Sequence, residues 1–196
     1  MTDKIDEIFG QLASLAEGLR EPPVITAVLE RLNDHTVWLD WSTHAQGTSH
    51  GQKNEAGLYV FWLDGGKDEI NDFKKVWETQ EKPVIKSRPK IIASRFNKWV
   101  DNRLENNNGG KTGRIPMYLG KTKSLSSRIE QHISHRADRS TYSLKLNESP
   151  DLKQFRIGYS TWRVPSESKA YIDIAWMLQI LESGVRNELQ PFIGRQ

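Results

Sequence analysis

Two amphipathic helices are predicted at the beginning of the chain. The first is indicated by apolar residues spaced 3, 4, 3 and 4 positions apart, which share one helix face: Ile5, Ile8, Leu12, Leu15 and Leu19. Pro22 and Pro23 interrupt this spacing, and Pro23 suits the first turn of a second helix with an apolar face of its own: Val24, Val28 and Leu32. We expect the pair to pack on the main domain, with self-association as the alternative, because an apolar helix face must be covered.

The pattern changes to strand alternation from Ala56 onward. Alternate side chains would face opposite sides of a strand, with Leu58, Val60 and Trp62 on one side and Gly57, Tyr59 and Phe61 on the other. Further strands are predicted over residues 115–120 and 154–164, and a short one is indicated at residues 36–41. The three longer strands predict a small three-stranded antiparallel sheet flanked by helices, which is an α+β architecture.

Helical spacing returns between the strands and at the end of the chain. One helix is predicted over residues 124–135 and another over residues 168–189. A large insertion, residues 64–114, separates the first two strands, and its segment 89–104 combines apolar positions with Lys and Arg in the pattern of a basic amphipathic helix. The chain is thus divided into a helical N-terminal extension, residues 1–55, and a main domain, residues 56–196.

Composition and charge restrict the chemistry. The 196 residues include no cysteine, which excludes disulfides, cysteine zinc sites and thiol nucleophiles. Residues 1–55 hold four basic and nine acidic residues, whereas residues 56–196 hold 24 basic and 16 acidic ones. The basic part would attract polyanions such as nucleic acid, with an evenly solvated surface as the alternative. No apolar run reaches the roughly 18 residues of a membrane span or has the form of a signal peptide, so we expect a cytoplasmic protein without membrane contact.

Candidate functional residues follow one another in a fixed order. Tyr59 closes a Gly-Leu-Tyr triplet on the first strand, and Tyr118 opens a Tyr-Leu-Gly-Lys sequence, ending at Lys121, on the second. Arg128 lies ten residues after Tyr118, and His132 one helical turn further.

The set is completed by Glu182, which opens a Glu-x8-Pro pattern ending at Pro191. Over residues 56–194 this order resembles the GIY-YIG nuclease family, and in particular its restriction-endonuclease branch. Leu58 and Leu119 replace the usual isoleucines, and Gly194 stands where the family has asparagine. The resemblance implies that the three-stranded sheet with its helices has the GIY-YIG fold. It also implies that this sheet carries a metal-dependent endonuclease site.

The resemblance and the chemistry of the side chains together suggest a role for each residue. Glu182 would bind one Mg²⁺ or Mn²⁺ ion, and Arg128 would clamp the phosphate with its planar guanidinium. Tyr59 would take the proton from the attacking water, with its pKa lowered by Lys121 or by the metal. The two remaining residues are Tyr118, which would position the phosphate or water, and His132, which would be a second phosphate contact or an alternative base.

The predicted function is hydrolysis of DNA phosphodiester bonds by a sequence-specific type II restriction enzyme. Cutting both strands of double-stranded DNA calls for a homodimer or for sequential nicking. The alternatives are a structure-specific repair or mobile-element nuclease, and a non-catalytic nucleic-acid-binding module, which the replacement of the family asparagine permits. DNA contacts are predicted for six basic residues of the insertion: Lys90, Arg95, Lys98, Arg103, Lys111 and Arg114.

Overall fold

The structure is a computed structural model that describes residues 2–42, 55–79, 88–102, 113–135, 140–165 and 174–194. Its α-helices are α1 Thr2–Gly18, α2 Pro22–Asp34, α3 Lys67–Thr79, α4 Ala93–Asn102, α5 Leu125–Ser134 and α6 Ile174–Leu189. Its strands are β1 Val37–Trp38, β2 Gly57–Gly65, β3 Lys90–Ile91, β4 Gly113–Thr122, β5 Arg156–Arg163 and β6 Ile193–Gly194. Two 3₁₀ turns, Leu146–Glu148 and Pro150–Gln154, precede β5.

The α+β class is confirmed, but the prediction of a three-stranded sheet is wrong. The main sheet has four strands in the order β1-β5-β2-β4, and every neighbouring pair is antiparallel. The additional strand is β1, whose Val37 and Trp38 pair with β5. Its two residues are too few to give a period, so the sequence did not place it in the sheet.

Both faces of the sheet are buried, because helices pack on each side. The alternation predicted for β2 is confirmed: Tyr59, Phe61 and Leu63 enter the core that α3, α4 and α5 cover. The intervening side chains enter the core that α2 and α6 cover: Leu58, Val60 and Trp62. Tyr59 therefore projects from a central strand into the core that α3, α4 and α5 cover.

The insertion holds more structure than its sequence indicated. Helix α3 was not predicted, although Ile70, Phe73 and Trp77 have helical spacing and are completely buried. The predicted basic helix over residues 89–104 corresponds to α4, which begins only at Ala93. Lys90 lies in strand β3 instead. Residues 103–112 lie outside the described residues.

The C-terminal segment connects the insertion to the sheet. After α6 the chain turns at Gln190, whose φ of 47° lies in the left-handed region. Strand β6 then pairs with β3, with Lys90 opposite Gly194. Phe192 is fully buried between the two parts: its N–H donates to the carbonyl of Pro116 at 3.3 Å, and its carbonyl accepts the N–H of Ile92 at 2.7 Å.

The two N-terminal helices behave differently. Helix α2 packs on the domain through Ile25, Val28 and Leu32, as expected. For α1 that expectation is wrong, since its apolar face is exposed and only Leu19, just beyond its end, packs against the core. Within the described ranges, none of the helices has the length and apolar composition needed to cross a bilayer.

Candidate active site

A pocket of about 530 Å³ opens beside the main sheet, where β4, α5 and α6 meet. The residues predicted to be catalytic converge on it, although they come from distant parts of the sequence: Tyr59, Tyr118, Lys121, Arg128 and Glu182 line the pocket. His132 lies directly behind Tyr59. The cavity is further lined by Gly120, Tyr142, Gln179, Ser183, Arg186 and Gly194.

The two tyrosines lie on the same side of the sheet, as their strand positions predicted. Tyr59 of β2 pairs with Gly120 of β4. Two residues further along β2, Phe61 pairs with Tyr118. The two phenol rings are stacked, with centroids 6.2 Å apart and an interplanar angle of 30°. Gly120 is required for this arrangement, because a Cβ atom there would collide with the hydroxyl of Tyr59.

His132 supports Tyr59 from inside the core. Its imidazole is completely buried, and Nδ1 accepts the backbone N–H of Leu144 at 3.0 Å. Since Nδ1 is an acceptor, the neutral ring carries its proton on Nε2, which lies 2.9 Å from the hydroxyl of Tyr59. Burial, together with the positive charge of Arg128, lowers the pKa of His132 well below its ordinary value, so the ring stays neutral at pH 7.

This geometry bears on the two roles suggested for His132, a second phosphate contact or an alternative base. A general base needs an unshared electron pair directed at the proton it removes. In His132, one ring nitrogen accepts a backbone hydrogen bond and the other donates to Tyr59. His132 is also fully buried, so it does not reach the pocket as a base or as a phosphate contact. The position of His132 fits a residue that orients the hydroxyl of Tyr59.

Both tyrosines are protonated at neutral pH. Burial raises the pKa of Tyr59 far above its ordinary value of 10.0, and the positive charge of Arg128 opposes part of that shift. Burial also raises the pKa of Tyr118, where Arg128 again opposes the shift. The predicted depression of the Tyr59 pKa is therefore absent in the free protein. Tyr118, at 8% exposure against 1% for Tyr59, is the more exposed of the two residues.

Arg128 is held by three different groups. Its Nε–H donates to the hydroxyl of Tyr59 at 3.2 Å, and its terminal nitrogens donate to Gln131 Oε1 at 2.8 Å and to the carbonyl of Tyr142 at 2.6 Å. A guanidinium has five N–H donors. These three bonds fix its plane at the wall of the pocket, and within the described residues they use one N–H group of each terminal nitrogen.

Glu182 is the carboxylate of the pocket, and two cations bind it. Oε2 lies 2.6 Å from Nζ of Lys121, and Oε1 lies 2.6 Å from Nη2 of Arg186. The ammonium of Lys121 also donates to Gln179, and Arg186 donates to the carbonyl of Leu119 at 2.9 Å. With Arg128, the lining has three cations around one carboxylate, and the surplus positive charge favours an anionic ligand.

A hard divalent cation has a limited donor set at this site. Mg²⁺ keeps most of its waters and requires as little as one carboxylate oxygen, which Glu182 offers. Oε2 is now bound to the ammonium of Lys121, whose side chain is 30% exposed and has Gln179 as a second partner. A metal ion at Glu182 would share the carboxylate with Lys121 and Arg186 or replace one of them. Nowhere in the described ranges do three or more His, Asp or Glu side chains form a metal-binding group.

The position of the family asparagine lies next to these charges. Gly194 lines the pocket and is part of β6. A Cβ atom at this position would lie 3.6 Å from Nη1 of Arg186 and 3.7 Å from Cδ1 of Ile92, which are ordinary contacts. The site therefore has room for a larger residue.

The predicted DNA-contacting residues separate into different groups. Lys90 is exposed on β3, Lys98 of α4 donates to Gln190 Oε1 at 2.8 Å, and Arg95 of α4 donates to the carbonyl of Pro191 at 3.3 Å. Burial and the neighbouring Arg186 lower the pKa of Arg95, which places that arginine close to the cations of the pocket.

Arg114 is used inside the protein instead. Its guanidinium donates to Thr36 and to the backbone and side chain of Asn33, and it stacks over the ring of Trp62 with 4.6 Å to the centroid. The residue thereby attaches the end of α2 to β4. The last two predicted residues, Arg103 and Lys111, lie outside the described residues.

Sequence reasoning did not assign a functional role to four residues of the pocket lining: Tyr142, Gln179, Ser183 and Arg186. Gln179 and Arg186 lie three residues before and four after Glu182, and this helical spacing could have indicated them. Tyr142 enters through its backbone carbonyl in an irregular segment, and no sequence pattern marks it.

Comparisons of the chain with protein-family models, with curated proteins and with solved structures give no match. The resemblance to the GIY-YIG nucleases therefore depends on the order and spacing of the residues, together with their convergence on one pocket.

Proposed function

We propose that the protein is a metal-dependent endonuclease of GIY-YIG type that hydrolyses DNA phosphodiester bonds. The observation that carries the proposal is the pocket itself, where two tyrosine hydroxyls and Arg128 lie beside a carboxylate held by Lys121 and Arg186. A phosphodiester brings one negative charge, and its pentacoordinate transition state brings more. A fixed cluster of cations stabilises that state more than the ground state.

Arg128 has the leading electrostatic role in this proposal. Its two remaining N–H donors lie on different terminal nitrogens, which is the arrangement that binds two phosphate oxygens together. The three bonds to Tyr59, Gln131 and Tyr142 hold the guanidinium in place before the substrate arrives. Little reorganisation is then needed as charge develops during the attack of water on phosphorus.

Tyr59 would accept the proton that the attacking water loses, once its own hydroxyl proton has passed to solvent and left the phenolate. Its oxygen receives N–H groups from Arg128 and His132, and both of these bonds would stabilise a phenolate. Burial acts in the opposite direction and keeps the hydroxyl protonated in the free protein. Tyr118 is the hydrogen-bond donor that positions the phosphate, since it is the more exposed of the two pocket tyrosines.

Glu182 is the residue that would hold Mg²⁺ or Mn²⁺ through a carboxylate oxygen. A bound divalent ion would supply positive charge that lowers the pKa of a coordinated water and neutralises the phosphate. Lys121, which contacts both Glu182 and Gln179, lies in the pocket lining and adds positive charge for the phosphate.

Recognition of DNA is assigned to the insertion, whose basic residues lie close to the pocket. Lys90, Arg95 and Lys98 lie on β3 and α4, and the pairing of β3 with β6 brings them to the Gly194 side of the pocket. Cations in this position would contact phosphates of the DNA backbone on one side of the scissile phosphate. A structure-specific repair or mobile-element nuclease would use the same pocket with different substrates.

A non-catalytic nucleic-acid-binding module is the second candidate. One observation favours it: both oxygens of Glu182 are bound by cations, so the pocket already has the charge of a phosphate-binding site without any metal.

Cleavage of supercoiled plasmid and of a branched oligonucleotide, with and without Mg²⁺, tests the proposal. Discrete fragments from the plasmid indicate a restriction enzyme, and cuts confined to the branch indicate a structure-specific nuclease. Retention of DNA without any cut, also in Mn²⁺, supports the binding module and contradicts the nuclease. The control is Arg128→Ala, which is expected to bind DNA and not to cut it.

A further inference from the structure

Exposed apolar side chains are concentrated on helix α1. Of the six large hydrophobic residues with exposed surfaces in the described ranges, all but Val37 lie on this helix: Ile5 at 51%, Ile8 at 55%, Phe9 at 66%, Leu12 at 45% and Leu15 at 38%. By contrast, α2, α3, α5 and α6 bury apolar faces of their own. A contiguous apolar stripe of this kind marks an interaction surface, whereas single exposed apolar residues do not.

The spacing of the stripe indicates what covers it. Ile5, Ile8, Leu12 and Leu15 occupy the a and d positions of two heptads, which form a narrow seam suited to another helix of the same spacing. A lipid surface is a poor partner, because membrane-surface helices have basic polar faces. Helix α1 instead carries four acidic residues and one lysine.

We propose that a second copy of this chain covers the stripe, so that two α1 helices pair in antiparallel orientation and form a homodimer. Each copy supplies a complementary seam at the same concentration, and a two-fold axis closes the assembly without leaving a free surface. In the register that joins a to d positions, Ile5 lies against Leu15 of the second copy, and Ile8 against Leu12. Phe9 then lies next to Phe9 of the second copy, close to the axis.

The charges of α1 select the antiparallel orientation. Three of its four acidic residues lie in the first six positions of the helix, at Asp3, Asp6 and Glu7. Parallel pairing would bring these two acidic ends together, whereas antiparallel pairing separates them and leaves one acidic residue, Glu17, at the level of Asp3 of the other copy. The opposed helix dipoles also favour this arrangement. The positions that flank the seam hold Lys4 and Gln11, so no like charges face each other across it.

The folded domain supports α1 in a form ready for pairing. Two heptads are too short for a stable isolated coiled coil, since helices of this length are marginal in water. Leu19, however, packs against the core that contains α2 and α6, and this contact anchors the C-terminal end of α1. An already ordered helix loses less conformational entropy on association.

Sedimentation equilibrium of the full chain tests the proposal, with Leu12→Glu compared against Ser14→Glu. Both positions are exposed on α1, and both variants add one negative charge, but Ser14 lies on the face opposite the stripe. The wild type and Ser14→Glu are expected to dimerise, and Leu12→Glu is expected to weaken the dimer at least about tenfold. Circular dichroism verifies that each variant is folded.

Engineered cysteines test the orientation, since the chain has no cysteine of its own. Antiparallel pairing places the two copies of position 9 about 3 Å apart along the axis and those of position 5 about 15 Å apart. Phe9→Cys is therefore expected to form an intermolecular disulfide, and Ile5→Cys is not. Efficient disulfide formation by Ile5→Cys alone would mean parallel pairing and would overturn the proposal.

Two results of the sedimentation experiment would also overturn it. One is a wild-type chain that stays monomeric up to about 0.2 mM, which would assign the stripe to a different partner. The other is a dimer that Leu12→Glu leaves unchanged, which would place the interface elsewhere. Neither result bears on the nuclease proposal, because the pocket is formed within one chain.

Discussion

The hydroxyl of Tyr59 lies 2.9 Å from Nε2 of His132, and both side chains are shielded from solvent. Because the backbone of Leu144 donates to the other ring nitrogen, the imidazole is the donor in this pair and the phenol oxygen is the acceptor. In this geometry His132 contacts Tyr59 through its Nε2–H donor, which favours a positioning role over a role as a base. A positioning histidine and a catalytic histidine respond differently to pH, which makes the assignment testable.

The rate of single-turnover cleavage should rise with pH across the neutral range. If Tyr59 accepts the proton, log rate should increase with a slope of about +1 between pH 6 and 9, because burial holds the pKa of Tyr59 above its ordinary value. If His132 were the base, its lowered pKa would give a flat profile over the same range. A plateau from pH 6 upward in the wild type would contradict the assignment to Tyr59.

Tyrosine variants provide the controls for this profile. Tyr118→Phe should slow cleavage and keep the slope, since Tyr118 positions the phosphate without transferring the proton. Tyr59→Phe should remove the pH-dependent cleavage. A Tyr59→Phe variant that retains the wild-type rate and slope would exclude Tyr59 as the proton acceptor.

The buried neutral state of His132 should make stability decrease in acid. The unfolded chain takes up a proton at the ordinary histidine pKa of about 6.5, whereas the folded chain resists it until a lower pH. The free energy of unfolding should therefore fall by up to about 1.4 kcal/mol per pH unit below pH 6.5 from this residue alone. Thermal melts of the wild type and His132→Gln between pH 7.5 and 5 measure it, and the variant should lose less stability over that range. Parallel losses in the two proteins would contradict the prediction.

Local periodicity predicted the elements of this fold better than their pairing. The two-residue alternation of Leu58 and Tyr59 located β2 correctly, and the spacing of Val28 and Leu32 located α2. Strand β1 and the β3–β6 pair have two residues each, so their existence depends on partners far away in sequence. Helix α3 was overlooked although its pattern was present, because charged residues separate Ile70, Phe73 and Trp77.

In the candidate site, the sequence identified the residues that meet better than it identified their burial and their hydrogen-bond partners. The motif order predicted that Tyr59, Tyr118 and Arg128 would meet, and they line one pocket. It did not predict that His132 would be fully buried, because a helical wheel cannot tell which helix flank the segment around Leu144 covers. Nor did it predict that Lys121 would bind Glu182, since that contact depends on the packing of α6 against β4.

Arg128→Lys should eliminate cleavage almost as completely as Arg128→Ala. Lysine retains the charge, but a single ammonium cannot replace donors directed separately at Tyr59, Gln131 and Tyr142 while binding two phosphate oxygens. Rate losses of about 10² to 10³ are typical when a preorganised donor is removed. DNA affinity, measured by fluorescence anisotropy, should change much less than the rate. A lysine variant that cuts at the wild-type rate would remove Arg128 from the catalytic group.

Lys98→Ala should weaken DNA binding and reduce its dependence on salt. The side chain lies on α4 near the Gln190 turn, and one lost phosphate contact lowers the slope of log affinity against log salt by about one. The matched control is Lys75→Ala on α3, whose ammonium is 2.7 Å from Asp72. Equal slopes for the wild type and Lys98→Ala would assign α4 to structural packing.

Glu182→Gln should abolish cleavage at every Mg²⁺ or Mn²⁺ concentration, because it removes the one carboxylate of the pocket lining. It also leaves Lys121 and Arg186 without their acidic partner, so the melting temperature should fall by a few degrees for a cost of about 1 kcal/mol. The double variant Lys121→Gln/Glu182→Gln separates the two roles, since it relieves the charge imbalance without restoring a metal ligand. Melting temperature should recover in part while cleavage stays absent; recovery of both would make Glu182 a structural residue.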